Sequence, residues 1–146
     1  MDRTEFTRAT EESHREVLTR VDALDDAQLE RPGASGWSPH DLLAHLAVWY
    51  DTATERLAFI GSGRVSEMPQ INRDEVDAIN EQALARDRSL APDEVRQRYR
   101  TSYDAMLAAL NGLPEATWSD ATTRDAIERR VGTPAFRHAA SHLADL

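Results

Sequence analysis

Apolar residues recur at helical spacing in four long stretches of this chain, and the irregular segments gather into two connections. In the first stretch Phe6, Ala9, Ser13, Val17, Val21 and Leu24 form one stripe, which predicts a solvated amphipathic helix over residues 4–24. The second has the best-marked start: Ser38 is placed as N-cap, Pro39 as first helical residue and Asp41 as the partner that completes a capping box, with Trp37 and Leu42 as a hydrophobic staple. Its stripe of Leu42, Leu46, Trp49, Ala53, Leu57 and Ile60 runs to residue 60, where Gly61 is expected to take the left-handed conformation that ends a helix. The third, over 93–110, buries Val95, Tyr99, Ser102, Met106 and Leu110 and stops at Asn111-Gly112. The fourth is expected to begin at Thr133-Pro134 by the cap-plus-proline pattern of the second, with Phe136, Ala140, Leu143 and Leu146 as its stripe and Ala139 close by. The connection 62–91 should hold a short helix over 73–86, and the later one an irregular helical turn near 125–130.

This pattern reads as an all-α four-helix bundle in a single domain spanning 1–146, a length that can bury one core without staples. Cysteine is absent, which excludes disulfides and thiolate metal ligands; a nucleophilic thiol would have to arrive with a substrate or cosubstrate. The net charge of −9 argues against nucleic acid as a partner, because phosphate attraction needs a basic face. Every basic side chain apart from histidine is an arginine, so a Schiff-base lysine is ruled out. With no apolar run long enough for a membrane span and no charged-then-apolar leader, a soluble cytoplasmic protein without membrane contact is expected.

Three histidines carry the candidate chemistry. At about 100° per residue, His45 falls on the shoulder of the second helix's stripe beside Trp49. His138 and His142, four apart, rise about 6 Å along a helix and diverge by only some 40° around it, so neutral imidazoles there can converge on one ion. With His45 as third ligand, such a site keeps a position open for water or substrate, which is the catalytic pattern. The absence of thiolates points to zinc, nickel or iron. Asp41 and Asp145 are candidate carboxylates to fix the imidazole tautomers. Against this stands a plainer reading, since His-x3-His recurs by chance on many helices and buried histidines often only hydrogen-bond or pack. His14, on the shoulder of the first helix, is a rival ligand more often structural, and His40 is expected to be solvated in the first turn of the second helix. Trp37, Trp49 and Trp118 read as staple, core residue and loop anchor, each able to wall a pocket.

The segment Gly36-Trp37-Ser38-Pro39-His40-Asp41-Leu42-Leu43-Ala44-His45-Leu46, followed by His138-x3-His142, resembles the DinB-like (YfiT-like) four-helix-bundle superfamily. The stretches Asp74-Glu75-Val76-Asp77-Ala78-Ile79-Asn80 and Arg86-Asp87-Arg88-Ser89, with Tyr103 and Leu113-Pro114-Glu115, are similar to its DfsB/ClbS-like or maleylpyruvate-isomerase-N-terminal-like branch. The resemblance implies an up-up-down-down type of bundle with long connections, a homodimer, and a divalent metal held by His45, His138 and His142. It also implies thiol-dependent transferases and hydrolases that disarm reactive metabolites. Ala139 stands where relatives often carry an aromatic, and a wider pocket is the expected result.

The resulting expectation is a metal-dependent transferase or hydrolase acting on a small electrophilic molecule, in detoxification or a stress response, with a low-molecular-weight thiol as the candidate cosubstrate. Arg64, Arg73 and Arg86 are candidates to hold a substrate carboxylate, each weighed against ordinary surface charge. The competing reading is a metal-free protective bundle that binds and sequesters a hydrophobic or reactive compound.

Overall fold

A computed structural model describes residues 1–146; its regular elements are all helical, with no strand. The long elements are α1 (Arg3–Asp22), α3 (Pro39–Gly61), α4 (Arg73–Asp87) and α5 (Pro92–Asn111). Short helices α2 (Asp26–Leu29), α6 (Glu115–Ser119), α7 (Ala121–Ala126) and α8 (His138–His142) complete the set. No helix is long and apolar enough to cross a membrane.

Helix α3 is the axis of the molecule. Its start is the predicted one: Ser38 Oγ accepts from the Asp41 N–H, and the Asp41 carboxylate accepts from the Ser38 N–H, both at 3.1 Å. All six predicted stripe residues are buried, and so is every residue from Ser38 to Ala47, because neighbouring elements surround this half of the helix. Its end differs from expectation. Gly61 remains helical, and Gly63 takes the positive φ of 73° that turns the chain. On α1, Thr10 replaces Ala9 in the core, its hydroxyl satisfied by donating to the Phe6 carbonyl at 3.0 Å.

Contacts between elements fix the direction of each helix. Arg3 donates to the Asn111 carbonyl and Arg96 to that of Leu24, so α1 and α5 run antiparallel. His40 meets the Leu90 carbonyl, Asp51 pairs with Arg98, and Gly61 lies against Leu113, so α3 and α5 run parallel. The C-terminal helical segment lies antiparallel to α3, through Arg56 to Arg130 and His45 to His138, and parallel to α1, through Ser13 to Phe136. The order is therefore up-down-down-up, which corrects the up-up-down-down expectation while leaving the all-α bundle intact. The reason lies in the first long connection. Helix α4 packs back along α3, with Asn80 on Trp49, and returns the chain to the end where α3 began.

The last segment departs most from its sequence reading. Thr133-Pro134 does not start a helix: Thr133 makes no side-chain cap, Gly132 is helical, and the helix is continuous from Ala121. It widens into π-type turns over Ile127–Val131 and Thr133–Arg137. Inside an α-helix, Pro134 would clash with the carbonyl four residues back, that of Arg130, and leave it without its N–H donor. Widening makes room for the ring, and the Arg56 guanidinium donates to the Arg130 carbonyl instead. Arg137 likewise donates to the Glu128 carbonyl at 2.7 Å. The altered winding also moves the stripe: Ala135 and Ala139 are buried, whereas Ala140 is exposed.

Candidate metal centre

Helix α3 presents His45 and α8 presents His138 and His142 at the same level of the bundle, because the two elements run antiparallel. Ring centroids lie 4.7 Å apart for His45 and His138, 5.1 Å for His45 and His142, and 4.7 Å for His138 and His142. One nitrogen from each ring falls within 4.8 Å of the other two, so the three can hold a metal ion. Nε2 of His45 faces Nε2 of His138 at 2.5 Å. His45 is buried at 2% exposure, and its partners are half-buried.

The electrostatics suit a cation. Burial first, then the neighbouring His138 and His142 imidazoles, lower the His45 pKa to about 3. Burial and then His142 lower that of His138 to about 4. Both rings are therefore neutral at neutral pH and carry the lone pairs a metal requires. Nitrogens sharing a tetrahedral zinc at about 2.0–2.1 Å would stand roughly 3.3 Å apart. That value lies above the 2.5 Å between Nε2 of His45 and Nε2 of His138 and inside the 4.8 Å within which all three ligand atoms fall. The donor set fits a borderline divalent ion.

The surroundings are aromatic on one side and open on the other. Trp37 lies 5.0 Å from His45, and Trp49 lies 5.7 Å from His138. A cleft of about 500 Å³ between Trp37 and α4 is lined also by Asp77, Asn80, Glu81 and Arg88. A second, of about 240 Å³, is lined by Trp37, Leu42, His142 and Asp145. Trp37 thus lines both clefts, and the smaller of them reaches the triad through His142.

The outer carboxylates fare differently. Asp145 Oδ2 stands 3.5 Å from Nδ1 of His142, the nearer of the two carboxylates to the triad but without a hydrogen bond to it. Asp41 does not reach His45, because its oxygens are taken by the Ser38 N–H and by Arg88 Nε at 3.1 Å. His40 is buried rather than solvated, its Nε2 bonded to the Leu90 carbonyl at 2.8 Å, since the turn between α4 and α5 closes over it. His14 is no rival ligand: it stacks on Tyr103 at 3.5 Å and bonds to the Tyr99 hydroxyl at 3.1 Å. Ala139 packs in the core at 1% exposure, so it does not widen a pocket. Arg64 pairs with Glu67 and Arg86 with Asp87, Arg73 is exposed, and none of the three lines either cleft. Arg88 and Asn80 do, and only their place on the α4 side of the bundle distinguishes them; no spacing in the sequence marked either one as part of a site.

The sequence model of the DinB superfamily matches residues 9–145. The chain belongs to the DinB superfamily. No curated protein and no solved structure matches it. The span that matches the DinB model includes all three histidines, His45 from one helix and His138 and His142 from another.

Proposed function

We propose that this DinB protein is a metal-dependent transferase or hydrolase acting on a small electrophilic molecule, in detoxification or a stress response. The observation that carries the reading is the convergence of three imidazoles, two of them held neutral by burial, beside two clefts open to solvent. His45, His138 and His142 would hold a divalent ion: zinc, nickel or iron. An ion held there supplies Lewis acidity and makes water or a thiol a competent nucleophile at neutral pH.

The protein's own groups do the rest. Trp37 and Trp49 wall the imidazoles and restrict their rotation. Asp145 faces His142 from outside. The cleft beside Trp37 receives the electrophile. Because the chain has no cysteine, a transferase reaction takes its sulfur from a low-molecular-weight thiol: the C–S bond forms as a bond at the electrophilic carbon breaks, its electron pair goes to the departing or adjacent atom, and the S–H proton goes to that atom or to solvent. The DfsB/ClbS-like branch and a homodimer belong to the same proposal. A sequestering role for an apolar compound is less well supported, since each cleft is open and partly polar rather than an enclosed apolar cavity.

The test is metal analysis of protein purified without a nickel column, with the His142→Ala variant beside it. About one ion per chain in the parent and near none in the variant is expected; equal content in the two would overturn the proposal. A chelator should also lower the melting temperature of the parent alone.

A further inference from the structure

Two arginines at the C-terminal end of α4 are held in different ways. Arg86 spends Nε and one terminal nitrogen on the Asp87 carboxylate, at 2.6 and 2.7 Å. Arg88 gives only Nε, to Asp41 Oδ1 at 3.1 Å, and neither of its terminal nitrogens meets a protein acceptor. A guanidinium carries its N–H donors in one rigid plane, so fixing Nε leaves a two-pronged edge whose direction is set. Asp41 is itself fixed: it is buried, and its other oxygen accepts from the Ser38 N–H in the capping box that starts α3. Arg88 lines the cleft of about 500 Å³, where Trp37, Leu84 and Ala85 supply the apolar surface.

Resting on the proposal that this cleft receives the electrophile, we infer that the molecule is an organic anion: its carboxylate takes the free edge of Arg88 through two parallel hydrogen bonds, and its flat apolar body lies against Trp37 and Leu84. Charge-assisted pairs of this kind are short and directional, and the planar guanidinium matches a planar carboxylate. Asp77 and Glu81 share the cleft but do not cancel the attraction. They precede Arg88 by eleven and seven residues, which puts them about 16 and 10 Å away along the helix axis, beyond the Debye length of about 8 Å at physiological salt. Glu30, in the neighbouring hollow of about 270 Å³, makes no ion pair with Arg88, whose one carboxylate partner is Asp41. Arg88 thus selects substrates by charge, and Asp41 positions Arg88 rather than His45.

The test titrates the full chain as purified with benzoate, with its uncharged isostere benzamide and with inorganic phosphate, following the Arg88 Nε–H and Trp37 Nε1–H resonances by proton–nitrogen NMR. Benzoate should move both resonances together and saturably, and benzamide should leave Arg88 Nε–H in place. In Arg88→Met, which keeps the stem and removes the charge, benzoate should bind at least about tenfold more weakly, read from Trp37. Equal affinity in the parent and Arg88→Met would overturn the inference, since the carboxylate would then be held elsewhere, on an ion included. Phosphate binding as tightly as benzoate would overturn the part assigned to the apolar body. Metal content measured on the same samples keeps the two proposals apart: benzoate binding that depends on Arg88 in protein without an ion supports this inference and sinks the metal centre, whereas a bound ion with benzoate binding indifferent to Arg88 does the reverse. Should Arg88→Met not fold, the parent decides alone: movement of Arg88 Nε–H with benzoate and not with benzamide supports the role, and any other pattern refutes it.

Discussion

Arg56 and Pro134 should be energetically coupled through a backbone carbonyl that belongs to neither. The Arg130 carbonyl is the one an α-helical Pro134 would leave without a donor, and the half-buried Arg56 guanidinium donates to it from α3. Replacing Arg56 by Met keeps much of the stem's packing and removes the donor. Hydrogen bonds to charged groups contribute about 1.5–3 kcal/mol, so a loss of about 2 kcal/mol is expected. For a chain of this size that corresponds to roughly 4–8 °C in melting temperature. In a Pro134→Ala background the backbone regains an N–H and the helix can tighten, so the same substitution should cost less than half as much. Thermal and urea unfolding followed by far-UV circular dichroism, on the parent, both single variants and the double, complete the cycle. Strictly additive losses would refute the account of how the wide turns are held.

Two further outcomes follow from the site and its supports. His14 is lowered to about 4 by burial first and then by Arg100, so its native ring stays neutral while the unfolded ring, near 6.5, takes up a proton. Stability contributed by this neutral ring is complete above pH 6.5 and is lost as pH falls toward 4; unfolding free energies from urea titrations at pH 7.5 and 5 should differ by about 1 kcal/mol less in His14→Phe after allowance for solvent screening, and identical differences would refute the assignment. Deleting Gly132 lets the widened segment rewind and turns His138 and His142 by about 100° relative to α7. Zinc affinity should then fall at least tenfold with helicity kept, and unaltered affinity would show that the wide turns do not aim the ligands.

The parts legible in the sequence were those decided locally. Ser38, Pro39 and Asp41 mark a helix start through hydrogen bonds three residues apart, and the α3 stripe follows from a single period. The histidine cluster was legible because i and i+4 fixes two members and the shoulder position of His45 gives the third. What escaped was set by partners distant in sequence. Thr133-Pro134 carries the same signal whether a helix begins there or widens there, and Arg56 from α3 is part of the difference. Asp41 was free to serve His45 until Arg88 claimed it, and His40 was solvated until Leu90 covered it. The direction of α5 depended on α4 spanning the bundle, which no residue within α5 encodes.

His45 and His138 meet although they stand 93 positions apart in the sequence. Closing so long a loop carries an entropic cost that the intervening helices must offset before the rings approach. A nascent or truncated polypeptide that lacks its final segment can therefore display only one of the three imidazoles. An intact cluster therefore reports that the final segment has docked against α3.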